Sequence, residues 1–204
     1  MIDVDDNVPI IASFKYVDNH DDAHKAFKEI KEYCASVEKP VIATYSETSG
    51  QILEVIEDGE DEGKILTYFP EPNLLPDGTY EGYLETVQIG LDPTIFDRQY
   101  IFNAKKLGYE FLGEGLREPL ESTSITKIGQ NLKYDWKFYY VQLGLYMQRM
   151  RDTMLISQCL NAGDKIKHNL SNLYREFVEF GWFKDITGMT FSEYEEFKST
   201  MPVS

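Results

Sequence analysis

Apolar side chains recur at three- and four-residue spacing over Leu132, Trp136, Tyr139, Tyr140 and Leu143, the period of one helix face, directly after a short β-favouring run from Ser124 to Lys127. The pattern predicts a strand that turns into a helix. Gly129 is expected to relax the backbone at the turn, and Asn131 is of a type that caps a helix start by accepting an orphan backbone N–H. Asn131 and Asp135 lie four apart, so both project from the same side of the first turn. A carboxylate is thereby expected at a strand-to-helix mouth.

The same periodicities organise the rest of the chain. Ile10 to Tyr16 reads as a strand leading into the cap cluster Asp18, Asn19, His20, Asp21. A helix is predicted from about Asp21 to Ser36, with Ala23, Phe27, Ile30, Cys34 and Val37 inward and Pro40 barring continuation. His20 and His24 lie at its exposed start with no metal-ligand partner at a useful spacing. A buried strand from Pro40 emerges into a polar turn that ends at Gly50. Tyr83 to Leu91 and Arg98 to Asn103 read as strands joined by the Asp92-Pro93 turn, and Lys105 to Leu120 as a short helix and loop. Asp152 is placed as the cap of a helix through Leu160 with Gly163 past its end, and His168 to Phe180 as another helix with Leu170, Leu173 and Phe177 inward. Thr190 with Glu193, and Ser192 with Glu195, form capping-box patterns for a last helix.

Composition narrows what such a chain does. Its 204 residues suit one domain, taken as 1–204 with an acidic arm at 1–8, and 42% hydrophobic residues argue for a packed core. The net charge of −15 is poor for broad capture of a phosphate backbone, so nucleic-acid contact is expected to be local, metal-assisted or supplied by a partner. Cys34 and Cys159 are read as reduced thiols in the core of a cytoplasmic protein. The start is acidic rather than a basic, apolar leader, and no apolar run approaches membrane length. Between residues 51 and 83 the acids Glu54, Glu57, Asp58, Glu60, Asp61 and Glu62 read as a solvated hairpin tip or loop, followed by a strand over Lys64 to Phe69 and a proline-marked loop.

Gly-Gln-Asn-Leu-Lys-Tyr-Asp at 129–135 resembles the second motif of the 3′-5′ proofreading exonuclease domain of family A DNA polymerases, a DEDD (DnaQ-like) exonuclease. The stretches 152–161 and 168–174 and the hairpin around Val87-Gln88-Ile89-Gly90 are similar to what surrounds that motif in the family. The resemblance implies an α/β fold with a mixed RNase H-like sheet flanked by helices. It also implies Mg or Mn as cofactor, a single-stranded DNA 3′ end as substrate, and a DNA polymerase chain or domain as partner. Carried over to this sequence, Glu47 and Asp135 are the metal carboxylates, and Thr48, Asn131, Lys133 and Tyr134 the substrate contacts.

Two departures matter. Tyr45 stands where the first motif has its metal-bridging Asp, and neither Tyr-x-x-x-Asp nor His-x-x-x-x-Asp follows Asp135. Hydrolysis in this superfamily uses two divalent ions about 4 Å apart, and Mg²⁺ requires anionic oxygen ligands at near-octahedral geometry. A neutral phenol is no substitute. Three functions stay open: a catalytically impaired exonuclease-like domain that serves as a structural or 3′-end-binding module, an active exonuclease whose missing carboxylates are supplied by another segment or chain or were removed by an introduced change such as Tyr45, and an acidic interaction protein that reuses the fold. The 51–83 insertion is where the third would place its contacts.

Overall fold

The computed structural model describes residues 13–49, 52–55, 65–68, 70–92, 98–162, 168–170 and 172–173. In chain order the elements are β1 (Phe14–Val17), α1 (His20–Ser36), β2 (Val41–Thr48), β3 (Ile52–Val55), β4 (Ile65–Tyr68), β5 (Leu84–Gly90), β6 (Gln99–Asn103), α2 (Ala104–Leu107), α3 (Tyr109–Glu121), β7 (Thr126–Gly129), α4 (Leu132–Gln142), β8 (Met150–Asp152) and α5 (Thr153–Leu160). The expected arm at 1–8, the acids 57–62, the stop at Gly163 and the capping boxes after Thr190 lie outside the described residues.

Alternation along β2 sets the sheet. Ile42, Thr44 and Ser46 are buried while Ala43, Tyr45 and Glu47 are exposed, the period of two that a half-covered strand requires. Hydrogen bonding orders six strands as β1-β6-β5-β2-β7-β8, with β2 antiparallel to β5 and parallel to β7. This is the mixed sheet flanked by helices expected from the sequence. Register carries the buried face across from Ser46 to Val87 and Phe102, and from Ile42 to Lys127. Helices close this face: Phe27 of α1 stacks on Phe102, and Tyr139 of α4 bonds Thr44. By contact the chain forms two compact units, residues 1–152 and 153–204. The sheet belongs to the first.

Several sequence expectations shift. Asn19 caps α1, its side chain accepting from the Asp22 N–H, so the helix starts at His20. Lys105 to Leu120 is not a helix and loop but two helices, split where Gly108 takes φ +85. The strand before α4 is Thr126–Gly129 rather than Ser124 to Lys127, because Thr126 and Lys127 are the residues that pair with Val41 and Ile42. β8 has no forerunner in the pattern: three residues are too few for a periodicity to show. Cys159 and Leu170 are exposed, not inward, whereas Cys34 is half-buried and Leu173 is buried. The 51–83 region holds the hairpin β3–β4 and a turn at Leu75 to Thr79, with Gly78 at φ +84.

Candidate nucleic-acid site at the end of strand β2

β7 pairs with β2 only from Val41 to Ala43, so beyond Ala43 the β7-facing edge of β2 has no strand to satisfy it. Asp135 does so instead. One of its carboxylate oxygens accepts from the Ser46 backbone N–H at 2.7 Å and from the Ser46 hydroxyl at 2.6 Å. Tyr139, one turn further along α4, donates to the Tyr45 carbonyl oxygen at 3.0 Å. The first turns of α4 therefore complete the hydrogen bonding of an interrupted strand.

The turn into α4 is built differently from the expected cap. Asn131 takes the left-handed conformation at φ 56 and its side chain makes no cap bond. Parallel pairing of Gly129 with Asp152 brings the Asp152 carboxylate to the helix start, where it accepts from the Asn131 and Leu132 N–H groups at 3.0 and 2.8 Å. A carboxylate from a neighbouring strand satisfies orphan donors and complements the helix dipole as well as a local Asn would. Gly129 is required for close approach, since a Cβ there would lie 2.7 Å from the Thr44 carbonyl oxygen. Its φ is not in the positive region.

On the open side of β2, Tyr45 is 46% exposed beside Glu47. A register shift between Glu47 and Thr48 ends the regular pairing here, a bulge of the kind that re-aims side chains at strand ends. Burial, then the charges of Glu47 and Asp135, push the Tyr45 phenol up to about 12, so it stays neutral. Asp135 is only 2% exposed, and burial raises it to about 6 against the pull of its Ser46 hydrogen bonds. Thr48 and Tyr134, expected as substrate contacts, share a hydrogen bond at 2.8 Å, and the Tyr134 hydroxyl also donates to the Pro70 carbonyl. Lys137 pairs with Glu71, tying the base of the 70–83 segment to α4. Lys133 is exposed.

The structure thus gathers Tyr45, Glu47, Thr48, Tyr134 and Asp135 and leaves Asn131 a backbone role. These residues do not fit a two-ion site. The position that the resemblance assigns to a bridging Asp holds a neutral phenol, one Asp135 oxygen is committed to Ser46, and Asp152 serves the helix start. Among the described residues no three His, Cys, Asp or Glu side chains are gathered in a way that could hold a metal ion.

What sequence reasoning missed is Lys127, fully buried on β7, whose ammonium donates to the Ser122 and Ile125 carbonyls at 2.6 and 2.9 Å. Burial lowers it to about 8. No local signal marks it: its burial follows from the register that sets it beside Ile42 on the core-facing side of the sheet.

Comparison with known proteins agrees with the fold. The Trypanosoma brucei RNase D:GMP complex superposes with a TM-score of 0.60 at 12% identity, covering 95% of this chain and 49% of that one. The catalytic core of T. brucei RRP6 gives 0.57 at 15% identity, covering 86% and 37%. The Aedes aegypti Nibbler EXO domain gives 0.55 at 12%, covering 95% and 78%. The chain thus spans less than half the length of the first two. No curated protein matches it. The family model described as 3′-5′ exonuclease matches residues 78–190, more than half of the chain, and by that match this protein belongs to the 3′-5′ exonuclease family.

Proposed function

We propose that this chain is a catalytically impaired exonuclease-like domain that binds the 3′ end of a single strand without hydrolysing it, in association with a family A type DNA polymerase. The observation that carries the proposal is the Tyr45 phenol, neutral and half-exposed beside Glu47 where the family places its bridging carboxylate. Without that anion two divalent ions are not held at the spacing in-line displacement requires. A strand end is still offered an exposed aromatic face at Tyr45 for stacking and the exposed Lys133 for phosphate. The partner rests on the motif at 129–135 alone. RNA stands beside DNA as the ligand, because T. brucei RNase D has a structure in complex with RNA U12.

The test is competition against a fluorescent single strand, read by polarisation, with linear and circular unlabelled strands of equal composition, in DNA and RNA series. A linear strand displacing the probe where the circular one does not supports end binding. Equal competition by the circular strand, or no binding of either, overturns the proposal.

A further inference from the structure

The outer face of α4 carries a second aromatic group that the β2 site does not use. Trp136 and Tyr140 stack with ring centroids 5.5 Å apart and planes 18° apart. Tyr146 stands edge-on to both, at 5.9 Å from Trp136 and 6.4 Å from Tyr140. The turn after α4 builds this arrangement. Gly144 at φ 63 reverses the chain, the Leu145 N–H returns to the Tyr139 carbonyl, and the Tyr146 N–H is held by Glu121 at 2.9 Å. Trp136 is the half-buried anchor, while Tyr140 and Tyr146 remain 54% and 56% exposed. Two phenol rings whose planes lie 75° apart are thus held in water, a costly way to display apolar surface unless something stacks on it.

Charge narrows the occupant. Lys133 lies seven residues before Tyr140, two turns along the same helix face, and is exposed. Lys137, four residues on from Lys133, sits on that face too, although paired with Glu71. In a chain of net charge −15, an exposed lysine on the face that leads to stacked aromatics is what an unpaired nucleic-acid strand recognises: a phosphate on Lys133, bases on the rings. We infer that Trp136, Tyr140 and Tyr146 form a stacking platform for bases of a single strand several nucleotides upstream of its 3′ end. This rests on the proposal that the β2 site holds that end. Asp135 points into the sheet and Tyr140 away from it, so the strand crosses the width of α4, about 10 Å, past Lys133. At about 3.4 Å or more per nucleotide that is a few nucleotides. A very short strand fills the β2 site without touching the platform.

The experiment measures binding of labelled strands of about two and about twelve nucleotides by polarisation, for the unmodified chain, Tyr140→Ala/Tyr146→Ala and Tyr140→Phe/Tyr146→Phe. Losing two stacked bases is expected to weaken the longer strand about tenfold or more, with the shorter one unchanged and the phenylalanine variant like the unmodified chain. If the unmodified chain binds both strands and the alanine variant binds them equally well, the platform is wrong and the β2 site stands. If the unmodified chain binds neither, both proposals fall. A changed sedimentation state in the alanine variant with unchanged strand affinity marks the aromatics as a protein contact, and likewise overturns the platform.

Discussion

Asp135 is the acid on which the family's chemistry would depend, yet its hydrogen bonds make it part of the fold, and this gives a quantitative test. Its carboxyl titrates at about 6 rather than its ordinary 3.8, because burial outweighs the two hydrogen bonds from Ser46. That difference corresponds to about 3 kcal/mol of added cost to the charged form. The folded state binds this proton more tightly than the unfolded chain does. The stabilising contribution is therefore complete below pH about 4 and is lost as pH rises through about 6. Asp135→Asn keeps an oxygen to accept from Ser46 and removes the buried charge. Relative to the unmodified protein it is expected to gain up to about 3 kcal/mol between pH about 4 and about 8, roughly 6–12 °C in melting temperature for a chain of this size. Asp135→Ala removes the acceptor as well and strands the Ser46 N–H, costing roughly 1–3 kcal/mol against Asp135→Asn at every pH. Thermal unfolding of the three proteins across that range measures both effects. A constant gap between the unmodified protein and Asp135→Asn, unchanged from acid to mildly alkaline pH, would refute the account of a carboxylate charged at a burial cost.

Lys127 gives the opposite slope. Its ammonium is lowered from 10.5 to about 8, so its contribution to stability grows as pH rises from about 8 toward 10.5 and is lost as pH falls through about 8. Lys127→Met is expected to abolish that part of the pH dependence in thermal unfolding, and an unchanged slope counts against the burial of a charged amine. Asp152→Ala removes the acceptor of the Asn131 and Leu132 N–H groups and is expected to cost about 1–2 kcal/mol in denaturant unfolding. The corresponding Asn131→Gly keeps the left-handed backbone and loses no cap bond, so it is expected to cost less, and the reverse order of the two would contradict the capping found here.

Much of this architecture was legible in the sequence because it is local. The inward set of α1 and the strand-to-helix step before Asp135 each follow from spacing within one element, whereas β2, expected as a buried strand that gives way to a polar turn, runs through Thr48 with every second residue exposed. The motif at 129–135 likewise lies within one turn and one helix start. What failed depended on a partner far along the chain. Asn131 read as a cap, but Asp152, 21 residues later, takes that role only because β8 pairs with β7. Asp135 read as a carboxylate at a strand-to-helix mouth, and its hydrogen-bond partner, Ser46, is 89 residues away. Lys127 read only as the end of a strand, and its burial is decided by which face of β7 meets the helices. Tyr45 was legible as a substitution in a motif, but its exposure beside Glu47 was not.

The central claim, that Tyr45 leaves this family member able to hold a strand but not to cut it, is tested most directly on a 3′-labelled single strand. Nucleotide release is followed with Mg²⁺ or Mn²⁺ for the unmodified chain, for Tyr45→Asp and for Glu47→Gln, with binding of the intact strand read in parallel. The account predicts that the unmodified chain retains the strand at full length. Metal-dependent shortening by the unmodified chain, abolished by Glu47→Gln, would contradict it.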